Sequence, residues 1–311
     1  MQQSSSNHWH LLGAGAIGTL FASALHRDGG SATLVVRDAT ALQQRRVLGP
    51  LTVSGQQPPF EFSPDYSAAS DPAPIARLLV TTKAYQCLDA LASVAHRLQP
   101  DSLVVLLHNG YGPQQQAAAR WPELRIYAGT TTEGAFRSAP NHLHHAGRGQ
   151  TWFGPITPAA AAAGSAPLSN LLDLSLGCGY DPAITTRLWQ KLAINAAING
   201  LTVVHDCRNG ELASNPDYRA EMAALCNETE ALAAALQQPL FEQPLLEVTF
   251  SVAAATAANY SSMLQDVRHG RPTELAEING TLCRLGDEIG LPLPAHRQLI
   301  AAVRRRSQQT H

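Results

Sequence analysis

The chain has 311 residues, 45% of them hydrophobic and 15% charged, and its 22 basic and 24 acidic side chains leave a formal net charge of −2. That length holds one large domain or two moderate ones with ample core, and the near-neutral balance supplies no general basic field for nucleic acid. Five cysteines (Cys87, Cys178, Cys207, Cys226 and Cys283) are widely spaced and odd in number, which argues against a disulfide framework or zinc cluster and for a reducing, cytoplasmic setting.

The polar segment from Met1 to Asn7 lacks the basic and apolar regions of a secretory signal. It runs into a short strand, residues 8–12, followed by Gly13-Ala14-Gly15-Ala16-Ile17-Gly18 and a helix continuing through Leu25. A G-x-G-x-x-G between a strand and a helix is the dinucleotide fingerprint. Gly13 makes the tight turn, Gly15 lets the backbone approach a pyrophosphate, and Gly18 allows close helix–strand packing. The helix N-terminus adds unsatisfied N–H groups and a favourable field for phosphate.

A second strand, residues 32–36, ends at Arg37-Asp38. In a dinucleotide fold this end faces the adenosine ribose, where arginine accommodates a 2′-phosphate and an acid grips a 2′-hydroxyl. Arg37 coming first favours NADPH. The reverse assignment, with Asp38 on the ribose and Arg37 an exposed charge, stays open. Short extended pieces at 51–53 and 60–62 precede a strong strand at 75–80, and Lys83 leaves its carboxyl end. A helix over 88–98 and a strand over 103–107 follow, ending at Asn109-Gly110. Lys83 and Asn109 thus fall on the expected cofactor side of a parallel sheet. Residues 126–132 and 142–153 are expected to complete that sheet. His142, His144 and His145 lie in the latter stretch, but with no Cys or carboxylate neighbours in sequence they predict no metal site. An alanine-rich stretch at 157–167 reads as weak helix or linker. A soft boundary between 160 and 180 divides the chain into 1–170 and 171–311.

Beyond it, apolar periodicity predicts helices over 185–204, 215–236, 246–263, 273–289 and 294–305. An α/β half followed by a helical half suggests a cofactor domain joined to a substrate domain, with the active site between them. Lys191, Asn195 and Asn199 recur every four residues on one face of an otherwise apolar helix, where buried amides need partners. Asn259, Ser262 and Asp266 are spaced to share one side of a helix end, and Glu274 falls in the first turn of the next helix. An amphipathic solvent face for the first set and a helix-stabilising charge at Glu274 are the plain alternatives. Together these residues propose a nicotinamide enzyme in which Lys191, as ammonium, stabilises and protonates the alkoxide formed from a ketone.

The sequence resembles the ketopantoate reductase family in Gly13-Ala-Gly-Ala-Ile-Gly18, Lys83-Ala-Tyr-Gln86, Asn109-Gly110, Lys191-Leu-Ala-Ile-Asn195-Ala-Ala-Ile-Asn199, Asn209-Gly-Glu-Leu212, Ser261-Ser-Met-Leu-Gln-Asp266, Thr273-Glu274 and Ile278-Asn279-Gly280. These pieces run in order over nearly the whole chain. The resemblance implies an NADP-binding Rossmann domain followed by an all-helical domain related to 6-phosphogluconate dehydrogenase-like C-terminal domains. It implies NADPH-dependent reduction of 2-dehydropantoate to (R)-pantoate in pantothenate and coenzyme A biosynthesis.

Under it, Lys191 is the catalytic lysine and Glu274 the catalytic or substrate-orienting glutamate, while Asn109 touches nicotinamide and substrate. Asn195, Asn199, Asn259 and Ser262 bind substrate, Ser262 being the candidate for its carboxylate. Asn209 is a further polar position near the pocket, and Arg37 and Lys83 are the basic cofactor positions. Gly200, where members can carry proline, is expected to loosen a helix end. The implied partner is a small 2-oxo acid, with neither nucleic acid nor membrane. A homodimer is left open, since buried helix faces and an interface look alike in one chain's periodicity. A paralogue reducing another branched 2-oxo acid and a non-catalytic NADPH sensor are the competing readings.

Overall fold

Strand β1 (His8–Leu12) enters a turn and then helix α1 (Ala16–Arg27), as the fingerprint requires. The computed structural model describes residues 7–309; Met1–Ser6 of the polar leader, Thr310 and His311 lie outside the described residues. Around β1 the chain lays down β2 (Ser31–Val36), β3 (Leu51–Gly55), β4 (Phe60–Phe62), β5 (Asp65–Ala68), β6 (Ile75–Val80), β7 (Leu98–Leu107), β8 (Arg125–Thr131), β9 (Gly134–Ala139), β10 (His142–Gly147), β11 (Thr151–Pro155) and β12 (Cys178–Tyr180). Eight of these form one sheet in the order β12-β11-β8-β7-β6-β1-β2-β5, parallel except for β8 against β11. The strand order reverses between β1 and β6, the switch point at which open α/β sheets bind ligands.

Alternate residues of the central strands feed two cores. Leu11, Leu34, Leu79 and Val105 pack beneath α1 with Phe21 and Phe153. Leu12, Val35, Leu78, Val80, Val104 and Leu106 pack on the other face, against the helices Cys87–Val94 and Pro113–Arg120. Strands buried on both faces must read as continuous apolar runs. Each such aliphatic side chain contributes about 1.5–3 kcal/mol relative to exposure.

Several expectations are corrected. The helix expected over 88–98 is α-helical to Val94 and tightens into a 3₁₀ turn, Ala95–Arg97, while β7 begins at Leu98 rather than residue 103, because Pro100 has no N–H to continue a helix and keeps the preceding residue extended. The stretch 142–153 divides. Only β11 joins the main sheet, while β10 enters a separate sheet of order β4-β3-β10-β9. The alanine-rich segment forms a short helix, Pro158–Ala163, whose N-cap Thr157 accepts from Ala160 N. Cys178–Tyr180 pairs in parallel with β11, and Asp181 N donates to Phe153 O at 2.8 Å. Residue 170 lies within this first unit, which comprises the described residues to His108 together with Pro113–Ile184.

Residues Asn109–Gly112 and those from Thr185 onward make the second, helical unit. Its spine is the long helix Ile184–His205, whose Trp189, Leu192, Ala193, Ala196, Ala197 and Leu201 are all buried. Around it stand Asn209–Ser214, Pro216–Ala235, Leu245–Ala255, Ser262–Arg268, a π-helical turn Ala276–Gly280, Thr281–Glu288 and Pro294–Gln309. The helix expected over 246–263 is broken after Ala255. Thr256 turns its hydroxyl back to Val252 O (2.7 Å), and Ser261 caps a new helix by accepting from Leu264 N (3.1 Å). Gly200 does not end a helix. The spine continues past it, and a Cβ there would stand 2.7 Å from a Leu299 methyl, so glycine admits the last helix. Among the described residues no helix is long and apolar enough to cross a membrane.

Candidate active site

The three fingerprint glycines are held in three different ways. Gly13 lies at φ +109°, and a Cβ there would meet Thr82 N at 2.8 Å; Gly18 would place one 2.2 Å from Gly13 O. Neither position admits a side chain. Gly15 differs: it is exposed and has no atom within 4 Å of its Cβ position. Ala14, Ala16 and Ile17 are partly exposed around it. The α1 N-terminus carries no side-chain cap and no acidic residue in its first turn, so its N–H groups and field suit an anion. Thr81 Oγ1 donates to Gly13 O at 2.7 Å and Arg137 Nη2 to Ala14 O at 2.6 Å. Neither contact was legible from the motif, since both residues lie far from it in the chain.

At the end of β2, Arg37 is 89% exposed and donates to Asp38 at 2.9 Å. Asp38 is itself the N-cap of Ala39–Arg46, accepting from Ala41 N at 2.8 Å, and that bond with the Arg37 guanidinium holds its carboxyl below the usual range. Lys83 is partly exposed at the head of the short 3₁₀ turn Ala84–Gln86, just past β6.

The second unit assembles the other cluster. Glu274 is only 4% exposed and accepts from Asn109 Nδ2 at 3.0 Å across 165 residues of sequence. It lies just before the π-helical turn, not in the first turn of an α-helix. The loop carrying Asn109 is fixed at three further points: Tyr111 N donates to Glu277 O (3.0 Å), Thr281 Oγ1 donates to Tyr111 O (2.9 Å), and the Tyr111 ring packs on Trp189. Gly110, at φ +80°, lies so close to Glu277 that a Cβ would come within 2.7 Å of its carbonyl oxygen. Two residues along the spine from Trp189, desolvation lowers Lys191 from the ordinary lysine value to about 8, while the Glu274 carboxylate opposes that fall. Burial raises the neighbouring Glu277 carboxyl, with Glu274 adding to the effect.

Lys191, Glu274 and Asn109 are therefore brought together. Asn195 is partly buried and Asn199 buried on the same helix as Lys191. The second polar set is not one helix face. Asn259 is exposed in the break, Ser262 is exposed at the first position of its helix, and Asp266 is buried against Arg271 at 2.9 Å. Asn209 is buried and donates to Thr256 Oγ1 at 2.9 Å, and its backbone N–H bonds Asn259 O at 3.0 Å, so these two asparagines stitch the break. Of the histidine group, His145 bonds Glu133 at 2.6 Å in the first unit, a partner sequence alone could not supply. No group of three or more metal-ligating side chains occurs among the described residues.

The family described as ketopantoate reductase PanE/ApbA matches residues 9–158, and its C-terminal counterpart matches residues 183–307. A 2-dehydropantoate 2-reductase of Vibrio cholerae serotype O1 is 32% identical over 297 residues, covering 94% of this chain and 96% of that protein. One from Escherichia coli O157:H7 is 33% identical over 316 residues, covering 96% and 95%. Among solved structures, a PanE/ApbA family ketopantoate reductase from Ralstonia eutropha JMP134 has a TM-score of 0.82 at 25% identity, covering 97% of this chain and 99% of that one. A D-mandelate dehydrogenase solved with NADH and anilino(oxo)acetate shares the fold, with a TM-score of 0.86 at 24% identity and coverage of 97% and 99%.

Proposed function

Because the chain belongs to the ketopantoate reductase family, we propose that it reduces 2-dehydropantoate to (R)-pantoate with NADPH, within pantothenate and coenzyme A biosynthesis. The observation that carries this reading is the desolvated Lys191 beside the buried Glu274–Asn109 pair.

The open backbone at Gly15 and the uncapped helix start fit a dinucleotide pyrophosphate. Bound NADPH would supply the hydride that turns the ketone into an alcohol. Arg37 would exchange Asp38 for the 2′-phosphate, an exchange helped by the exposure of both side chains, with Lys83 adding charge nearby. Asp38 already serves as a helix cap, which counts against its gripping the ribose.

As negative charge grows on the carbonyl oxygen, the Lys191 ammonium stabilises it and gives it a proton. A pKa of about 8 leaves the group largely protonated at neutral pH yet more acidic than an ordinary lysine. Glu274 keeps Lys191 charged and orients the substrate hydroxyl, and Asn109 fixes that carboxylate besides meeting nicotinamide and substrate. Asn195 and Asn199 bind substrate oxygens from the lysine's helix, and the exposed Ser262 takes the substrate carboxylate with Asn259 nearby. Asn209 supports this region through its bonds across the break. Five free cysteines support a reducing, cytoplasmic setting.

An NADPH-oxidation assay over a panel of 2-oxo acids tests the reading. The highest kcat/KM is expected with 2-dehydropantoate. A higher value with another branched 2-oxo acid would reassign the substrate, and no oxidation with any member would remove the enzyme reading.

A further inference from the structure

We propose that Arg137 is a positioning residue for the phosphate-binding loop, acting on the dinucleotide through the Ala14–Gly15 peptide. The proposal rests on the cofactor reading above and adds to it a residue from the other sheet. Arg137 lies partly buried on β9. Its Nη2 donates to Ala14 O at 2.6 Å and to Thr19 Oγ1 at 2.8 Å, and its Nη1 donates to Pro140 O at 2.6 Å. One guanidinium thus ties together the fingerprint loop, the first turn of α1 and the turn between β9 and β10. Only arginine's planar fork reaches several acceptors at fixed angles; a lysine ammonium is a point charge.

All three acceptors are neutral. Burial lowers Arg137 from its ordinary value, the Arg45 guanidinium pushes the same way, and Tyr66 opposes them. A partly buried cation facing a second cation, with no carboxylate among its bonded partners, leaves surplus positive charge beside a loop built for phosphate.

The choice of acceptor gives the arrangement its function. In a trans peptide the carbonyl and the following N–H point in opposite directions, and the described chain contains no cis bond. Holding Ala14 O on Arg137 therefore turns the Gly15 N–H away from the arginine. Gly15 is the exposed glycine of the three, with open space at its Cβ position. Its own carbonyl is held from the other end by Thr19 N at 3.0 Å, and Thr19 is the arginine's second anchor. A charge-assisted bond to Ala14 O also polarises that peptide and strengthens its N–H as a donor.

The test compares Arg137→Lys, which keeps the charge and loses the fork, with Arg137→Met, which loses both. Dissociation constants are measured for NADPH, NADH, ADP-ribose and adenosine 2′-phosphate, together with hydrogen exchange of residues 13–20 in the ligand-free protein. In both variants, binding of NADPH, NADH and ADP-ribose should weaken by one common factor of roughly 10- to 100-fold, the scale of a hydrogen bond to a charged group. Adenosine 2′-phosphate, which has no pyrophosphate, should bind as before, residues 13–20 should exchange faster, and KM for NADPH should rise far more than kcat falls.

Loss confined to NADPH and adenosine 2′-phosphate would make Arg137 a direct 2′-phosphate ligand and overturn the proposal. Wild-type behaviour of Arg137→Lys, or unchanged exchange at residues 13–20, would overturn it as well. Where Arg137→Met fails to fold, Arg137→Lys decides. If the wild-type protein bound neither dinucleotide nor ADP-ribose, the cofactor reading would fall, and the exchange comparison would still decide whether Arg137 positions the loop.

Discussion

Lys191 and Arg37 are both cations with a carboxylate at hand, and the fold treats them in opposite ways. Arg37 is 89% exposed at the end of a strand, beside a half-exposed Asp38. Lys191 is desolvated in the middle of a buried helix, facing a glutamate that is 4% exposed. Water screens the first pair, so its partners exchange readily, which suits the recognition role proposed for Arg37. The second pair lacks that screening. Its proton affinity is shifted into the range where a proton can be given up, and its charge is strongest where a transition state would feel it.

The largest expected effect breaks the buried side of this comparison. Lys191→Ala should lower turnover by roughly 10²- to 10⁴-fold, the range of a placed general acid, while NADPH affinity stays near that of wild type. Turnover at saturating 2-dehydropantoate, NADPH titration and a circular dichroism melt together check this. Near-normal turnover would return Lys191 to the status of a plain helix charge.

The fingerprint offers a similar contrast within one motif. Gly18→Ala places a methyl 2.2 Å from Gly13 O and should destabilise the fold by about 1–3 kcal/mol, the cost of overpacking. Gly15→Ala meets no protein atom, so its melting temperature should hold while dinucleotide binding weakens. Equal melting temperatures for the two variants would contradict these separate roles.

On the exposed side, Arg37→Ala should raise KM for NADPH roughly tenfold, at the low end for a charged hydrogen bond in water, and leave KM for NADH nearly unchanged. Equal losses for both cofactors would remove the 2′-phosphate role and with it one half of the comparison.

How far each region could be read from sequence follows the range of its contacts. The fingerprint is local: strand, three glycines and helix lie within twenty residues, and sterics at Gly13 and Gly18 explain the spacing. The Lys191 helix was legible because its polar residues recur every four positions in an apolar run. The bond from Asn109 to Glu274 spans 165 residues, and no periodicity encodes such a pairing. The break after Ala255 was hidden because apolar residues continue through it; the stop comes from Thr256 and Ser261 bonding their own backbone neighbourhood. Arg137 was missed for a third reason. It belongs to an edge strand of a second sheet whose existence depends on splitting 142–153 between two sheets.

The most direct test of the Lys191–Glu274 pair is the pH dependence of kcat/KM for 2-dehydropantoate reduction in wild type and in Glu274→Gln. In the proposed mechanism Lys191 acts as ammonium, so activity should be present at neutral pH and fall as pH rises through about 8. Glu274 holds that value up, so its neutral replacement should move the alkaline limb to lower pH. A wild-type limb at ~10, where an unperturbed lysine titrates, or a limb that stays in place in Glu274→Gln, would contradict the account.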